Sequence, residues 1–124
     1  MKAIQTMKAY YRYANAGDWD KWCDLFTERM VMDEQLAGRV QTRATLHQMM
    51  GGMKKMYRVF KNRPLHMFVS RKEGAVVSHI SAVSPKGAKI EADVMNYFRF
   101  AKDGRIAYMA NFHDSKPFKP VLGG

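Results

Sequence analysis

The chain has a single cysteine, Cys23, so neither an internal disulfide nor a cysteine metal cluster can form. A reducing cytosol is the compartment expected. No apolar run approaches the roughly 18 residues of a membrane span, and the opening "MKAIQTMKAYYRY" lacks the apolar centre of a signal peptide. No membrane partner is expected. The histidines, His47, His66, His79 and His113, show no close ligand spacing, so no metal site is expected. A phosphate loop is missing, because "GGMKK" lies within a helical stripe, and so is a nucleophile elbow. Acidic residues are few, 11 against 21 lysines and arginines, which leaves a net charge of +10. That excess allows an anionic ligand. Its one concentration, Lys54, Lys55, Arg58, Lys61 and Arg63, reads as the solvated back of an amphipathic helix, and a nucleic-acid partner is not expected.

What is present suffices for one domain, residues 1–124, with a sizeable core, and 47% hydrophobic residues exclude a disordered chain. Ala3, Met7, Tyr10 and Ala14 share one face of a first helix, stopped by Gly17; Asp18 can cap a second, about Trp19 to Phe26. "RMVMDEQ" alternates like a strand and "LAGR" turns the chain. A third helix from near Thr42 carries Leu46, Met49, Met50, Met53, Met56, Tyr57 and Phe60 on one stripe, weakened by Gly51-Gly52. Strands follow at about 65–71, 75–84, 88–100 and 105–113, with turn chemistry in "RKEG", "SPKG" and "AKDG". The tail "SKPFKPVLGG" reads as loosely held. Helices segregated onto one face of the sheet give an α+β fold: a cone-shaped, curved antiparallel sheet with three helices enclosing a pocket.

Three polar residues interrupt apolar faces. Tyr10 is central on the first helix, Glu34 shares a face with Met30 and Met32, and Asn96 sits amid the inward face of "IEADVMNYFRF". A carboxylate in such a place is a usable base, and a phenol and an amide N–H beside it can stabilise an oxyanion. Each also has a structural reading: Tyr10 as core, Asn96 as a backbone clamp, Glu34 as the partner of Arg39. In "VVSHISAV" and "RIAYMANFH" both strand faces are apolar enough that periodicity leaves the inner one open.

"YYRYANAGDWDKWCDLFTERMVMDEQLAGR", with its "NAGDWD" junction and a carboxylate ending the first strand, and "YFRFAKDGRI" later on, resemble the nuclear transport factor 2-like superfamily. The resemblance is to the branch of ketosteroid isomerases and polyketide cyclase-like proteins. It implies that Tyr10 and Asn96 form the oxyanion hole and Glu34 shuttles the proton. It turns His79, Ser81, Val83, Met109, Asn111 and His113 toward the pocket, with His79 or His113 as a further acid. Trp19, Met49 and Met53 would touch the ligand. Glu34 is longer than the family's aspartate, Asn96 replaces a carboxylic acid, and two histidines suit a smaller or more oxygenated substrate than a steroid. The implied activity is a cofactor-independent isomerase or lyase (dehydratase or cyclase) acting on a small organic substrate. The alternatives are a noncatalytic ligand-binding module and a protein-interaction domain. A homodimer through the outer sheet face, with Tyr108 and Phe112, is expected in each case.

Overall fold

The computed structural model describes residues 1–122. Helix α1 (Ala3–Ala16) buries Met7, Tyr10, Tyr11 and Ala14. Its end follows from Gly17, whose φ of 70° is open to glycine without a Cβ clash. The N–H groups of Gly17 and Asp18 then close the last turn on Ala14 and Tyr13. Asp18 caps α2 (Trp19–Cys23) by accepting from the Lys21 N–H at 3.2 Å. This helix is shorter than expected, because Phe26 already begins β1 (Phe26–Glu34).

Two further differences lie downstream. The "LAGR" turn leads into a short strand, β2 (Gly38–Gln41), which pairs back on β1. The long apolar stripe is not one helix: α3 (Arg43–Met50) stops at the glycine pair, α4 (Met53–Met56) adds one turn, and β3 (Val59–Ser70) begins where a helix was expected. Glycine weakens the helix centre, and the β-branched and aromatic Val59 and Phe60 favour extended backbone. Strands β4 (Glu73–Val83), β5 (Lys89–Phe100) and β6 (Ile106–Phe112) complete a six-stranded sheet in the order β2-β1-β6-β5-β4-β3. Every neighbouring pair is antiparallel except β1 with β6, which run parallel. Register shifts at Pro64/His66 and Arg99/Phe100 bend the sheet around the helices.

At the free edge, the Asn15 carboxamide bonds both backbone groups of Asn62, accepting from its N–H at 2.6 Å and donating to its carbonyl at 2.9 Å. Those groups therefore point away from β4. Pro64, two residues on, lacks an N–H on that same outer side, where the ladder does not need one.

Register decides the faces. On β5, Ile90, Ala92, Val94, Asn96, Phe98 and Phe100 are buried. Residues opposite one another in a sheet share a face, and Asn96 and Val94 pair with Val76 and Ser78. The inner face of β4 is thus Val76, Ser78, Ile80 and Ala82, and His79, Ser81 and Val83 lie outside, opposite Asp93, Glu91 and Lys89. Their expected place in the pocket is corrected: the charged odd positions of β5 need water, and register carries the odd positions of β4 outward with them.

Outside, His79 bonds Asp93 through Nδ1 at 2.8 Å and Glu91 through Nε2 at 2.9 Å, and Ser81 donates to Glu91 at 2.6 Å. These carboxylates, Asp93 first and then Glu91, raise the histidine pKa above its ordinary range. The imidazolium's contribution to stability is therefore complete below the ordinary histidine range and is lost as pH rises through the raised value. Urea titrations at several pH values above the carboxylate range should find wild type and His79→Gln furthest apart at the acid end and converging in alkali. A gap that does not change with pH would show that these bonds contribute nothing through charge.

The chain end also differs from expectation. Residues Lys116–Val121 form a 3-10 helix that seats Phe118 with 2% exposure among Tyr57, Ile90 and Val94. The tail is tied down by that one aromatic anchor, while its last two glycines, residues 123–124, lie outside the described residues.

Candidate functional site

Between the helices and the concave face of the sheet is a cavity of about 400 Å³. Its walls are mostly apolar: Trp19 and Trp22 from α2, Met49, Met50 and Met53 around the glycine pair, Tyr57 and Phe60 beyond it. Phe118, Val121 and Leu122 of the C-terminal segment close one side. Of the residues expected at the ligand, Tyr10, Glu34, Asn96, His113, Trp19, Met49, Met53, Met109 and Asn111 all border this cavity; His79, Ser81 and Val83 do not.

The polar groups gather where β1 and β6 end side by side. Glu34 is half-buried, and its Oε2 accepts from the backbone N–H groups of Leu36, at 2.8 Å, and Ala37. Its Oε1 has only a long contact, 3.5 Å, with the Asn111 Nδ2. The Asn111 Oδ1 accepts from the Gln35 N–H at 2.8 Å, and the Gln35 side chain accepts from the His113 N–H at 3.2 Å. Thus the tight turn that reverses β1 into β2 also locks the carboxylate's rotamer. Arg39 is not its partner. It forms a two-pronged ion pair with Asp33 at 2.8 and 2.9 Å on the other face, where Tyr108 also donates to Asp33. These donors hold the Asp33 carboxyl at about 2, below the usual carboxylate range.

His113 lies just past β6, its ring 4.7 Å from that of Phe118. Its Nδ1 is 2.8 Å from the Asp114 carbonyl oxygen. A carbonyl can only accept, so Nδ1 carries the proton and the neutral ring has its lone pair on Nε2. This histidine can take up a proton at one defined atom.

Two phenols complete the site. Tyr10 packs edge-on against Tyr11 and Phe98 and tilted against Trp22. Burial raises its pKa well above the ordinary phenol range, with further contributions from Tyr11 and the charge of Glu34. Tyr57 is pushed up to about 12, again by burial first and then by Glu34. Both hydroxyls therefore stay protonated and can donate, and both sense the same carboxylate.

Asn96 takes a different partner from the one expected. It is 1% exposed and lies directly across from Asn111 in the sheet. Its Nδ2 donates at 2.7 Å to the hydroxyl of Tyr11, the neighbour of Tyr10. One of its two amide hydrogens is thus engaged within the protein. Its Oδ1 is buried with no protein partner among the described residues, and the residue still borders the cavity. Tyr57, Trp22 and Phe118 also border the cavity, and periodicity alone does not mark them as site residues. Tyr57 continues the spacing of a helical stripe, and Phe118 lies in a proline- and glycine-containing tail that gives no periodic signal. Among the described residues, no three His, Cys, Asp or Glu side chains converge as metal ligands would.

A curved sheet folded over helices around such a pocket defines the nuclear transport factor 2-like class. Residues 7–109 match the family described as SnoaL-like domain, and the chain belongs to that family. Among solved structures, an NTF2-like protein from Burkholderia pseudomallei superposes with a TM-score of 0.88 at 12% identity over 98% of both chains. TerC, co-crystallised with polyporic acid, gives 0.84 at 13% identity over 98% of both chains. The epoxide hydrolase/cyclase-like enzyme SalBIII, from pyran ring formation in the polyether salinomycin, gives 0.79 at 19% identity over 90% of both chains. At these identities the likeness is one of fold. No curated protein matches the sequence.

Proposed function

We propose that the protein is a small-molecule isomerase or lyase, of the dehydratase or cyclase kind, working by general acid–base catalysis. The observation that carries the reading is that one carboxylate, Glu34, and two protonated phenols, Tyr10 and Tyr57, border the same mostly apolar cavity, and that both phenols sense the charge of Glu34. Glu34 Oε1 removes a proton next to a carbonyl, and the enolate oxygen that develops is met by the Tyr10 and Tyr57 hydroxyls. Tyr57 shares this part with Asn96, one of whose two amide hydrogens is held by Tyr11. His113, protonated at Nε2 from water, gives that proton to the departing hydroxyl, which leaves as water in a dehydration, or to carbon in an isomerisation. Glu34 releases to water the proton it took. Asn111 is a positioning residue, holding the Glu34 turn against β6. None of these steps calls on a cofactor. The test is α-proton exchange of cyclic ketones and unsaturated acids in heavy water, followed by NMR, with Glu34→Gln alongside wild type. Exchange that needs Glu34 supports the reading; no exchange across the panel removes it.

The methionine-rich wall favours a second reading, a noncatalytic ligand-binding module. Met32, Met49, Met50, Met53, Met56 and Met109 all face the cavity, and unbranched thioether chains repack around varied shapes. A binder of neutral ligands would tolerate Glu34→Gln with its affinity nearly unchanged.

In either reading the outer face of the sheet joins two copies. Phe112 is 53% exposed there, opposite Met95 in register. Phe112→Lys should turn a dimer into a monomer in analytical ultracentrifugation; an unaltered dimer would move the interface elsewhere.

A further inference from the structure

A second cavity, about 310 Å³, opens beside the first at the C-terminal end of α1. The two share walls: Ala14, Trp19, Met53, Tyr57 and Phe60 border both. They differ in character. Catalytic polar groups and thioethers face the first, whereas Lys54, Arg58 and Lys61 line the second, with no acidic side chain among its lining residues. Lys61 is partly engaged, since its ammonium donates to the Asn15 carbonyl at 2.8 Å and so satisfies a carbonyl of the last turn of α1. Lys54 and Arg58 take part in none of the ion pairs among the described residues. The nearest carboxylate along the chain, Asp18, is turned to Lys21.

The basic stretch that reads in the sequence as the back of one helix is thus broken up by the fold. Arg63 goes to the outer face opposite His79, and Lys54 and Arg58 stay at the mouth of a cavity that adjoins the reaction site. Unpaired cations over a partly enclosed, aromatic-walled space attract an anion more strongly than the same charges on an open surface.

We propose that the second cavity is a subsite for the anionic end of an amphipathic substrate. Its apolar body lies in the first cavity, and a carboxylate or phosphate sits against Lys54 and Arg58. The proposal rests on the first cavity being the ligand site and adds the chemical class of the ligand. Trp19, on the shared wall, is the natural reporter.

The experiment measures quenching of tryptophan fluorescence by decanoate, decyl phosphate and decanol. The anionic probes should bind about tenfold tighter than the alcohol at low salt, and the preference should shrink as salt is raised to about 0.5 M. Whether carboxylate or phosphate binds more tightly tells which head group the subsite suits. In K54Q/R58Q the preference should disappear. In K102Q/R105Q, which removes the same charge at the opposite end of α1, it should persist. Decanol affinity in the two variants reports whether the first cavity is intact. Equal binding of alcohol and acid by wild type overturns the subsite and leaves the proposed function standing. A preference lost equally in both variants reduces it to net charge and also overturns it. If no probe binds, both the subsite and the pocket reading fall.

Discussion

Glu34→Gln should slow α-proton exchange by about a hundredfold to ten-thousandfold, the range for removal of a positioned general base. Glutamine keeps an acceptor oxygen for the Leu36 and Ala37 N–H groups, so the turn that ends β1 survives. What is lost is the lone pair on the second oxygen, now an NH2 group facing the Asn111 amide. The structural penalty should stay near ~1 kcal/mol, and the melting temperature should fall by only a few degrees. The two readouts together separate chemistry from architecture. A large loss of exchange with a nearly native melting curve assigns Glu34 to proton transfer. Unchanged exchange would assign it to the turn alone.

Phe118→Ala should have the second large effect, and the effect should be on binding rather than on global stability. A buried phenylalanine cut back to alanine loses ~3–5 kcal/mol where the surroundings cannot relax. Here they can, because the 3-10 helix carrying Phe118 follows the last strand and detaches without breaking any ladder bond. Its undocking therefore sets a ceiling on the global loss. The cavity, however, loses the wall formed by Phe118, Val121 and Leu122, and the His113 ring loses the surface it rests on. A neutral ligand should bind about tenfold or more weakly. Amide exchange across residues 116–122 should accelerate by a larger factor than in β5. Unchanged affinity would mean that the segment covers the pocket without touching what binds there.

The legible parts of the molecule were those where one local rule spoke without a rival. On β5 the alternation was clean, and all six even positions are buried. Gly17 and Asp18 marked a helix stop and a helix start because one supplies a left-handed φ and the other a cap. The rest needed information between segments. In β4 the two faces read alike, Val76, Ser78, Ile80 and Ala82 against Val77, His79, Ser81 and Val83, and only register with the charged face of β5 separates them. The start of β3 was concealed because Met56, Tyr57 and Phe60 continue a helical spacing past glycines that end the helix. Alternation places Asn96 inside, as found, but its partner depends on which of two adjacent tyrosines leans toward the sheet. Neighbours on a helix point about 100° apart, and it is the Tyr11 hydroxyl that meets Asn96, while Tyr10 packs on Phe98 and borders the cavity.

The contact between Asn15 and Asn62 bears on a different matter, how the protein behaves in a crowded solution. A twelve-residue outermost strand with open hydrogen-bonding groups is a template on which another chain can crystallise its own backbone. Here one carboxamide imitates a single residue of a neighbouring strand, answering both the N–H and the C=O of Asn62 from within the molecule. Pro64 leaves the next outward position without a donor, and the bulge after it throws the register out. An incoming strand would meet an occupied site, a missing donor and a misalignment in succession. The fold can thus keep a long border strand beside its pocket without inviting growth into fibrils.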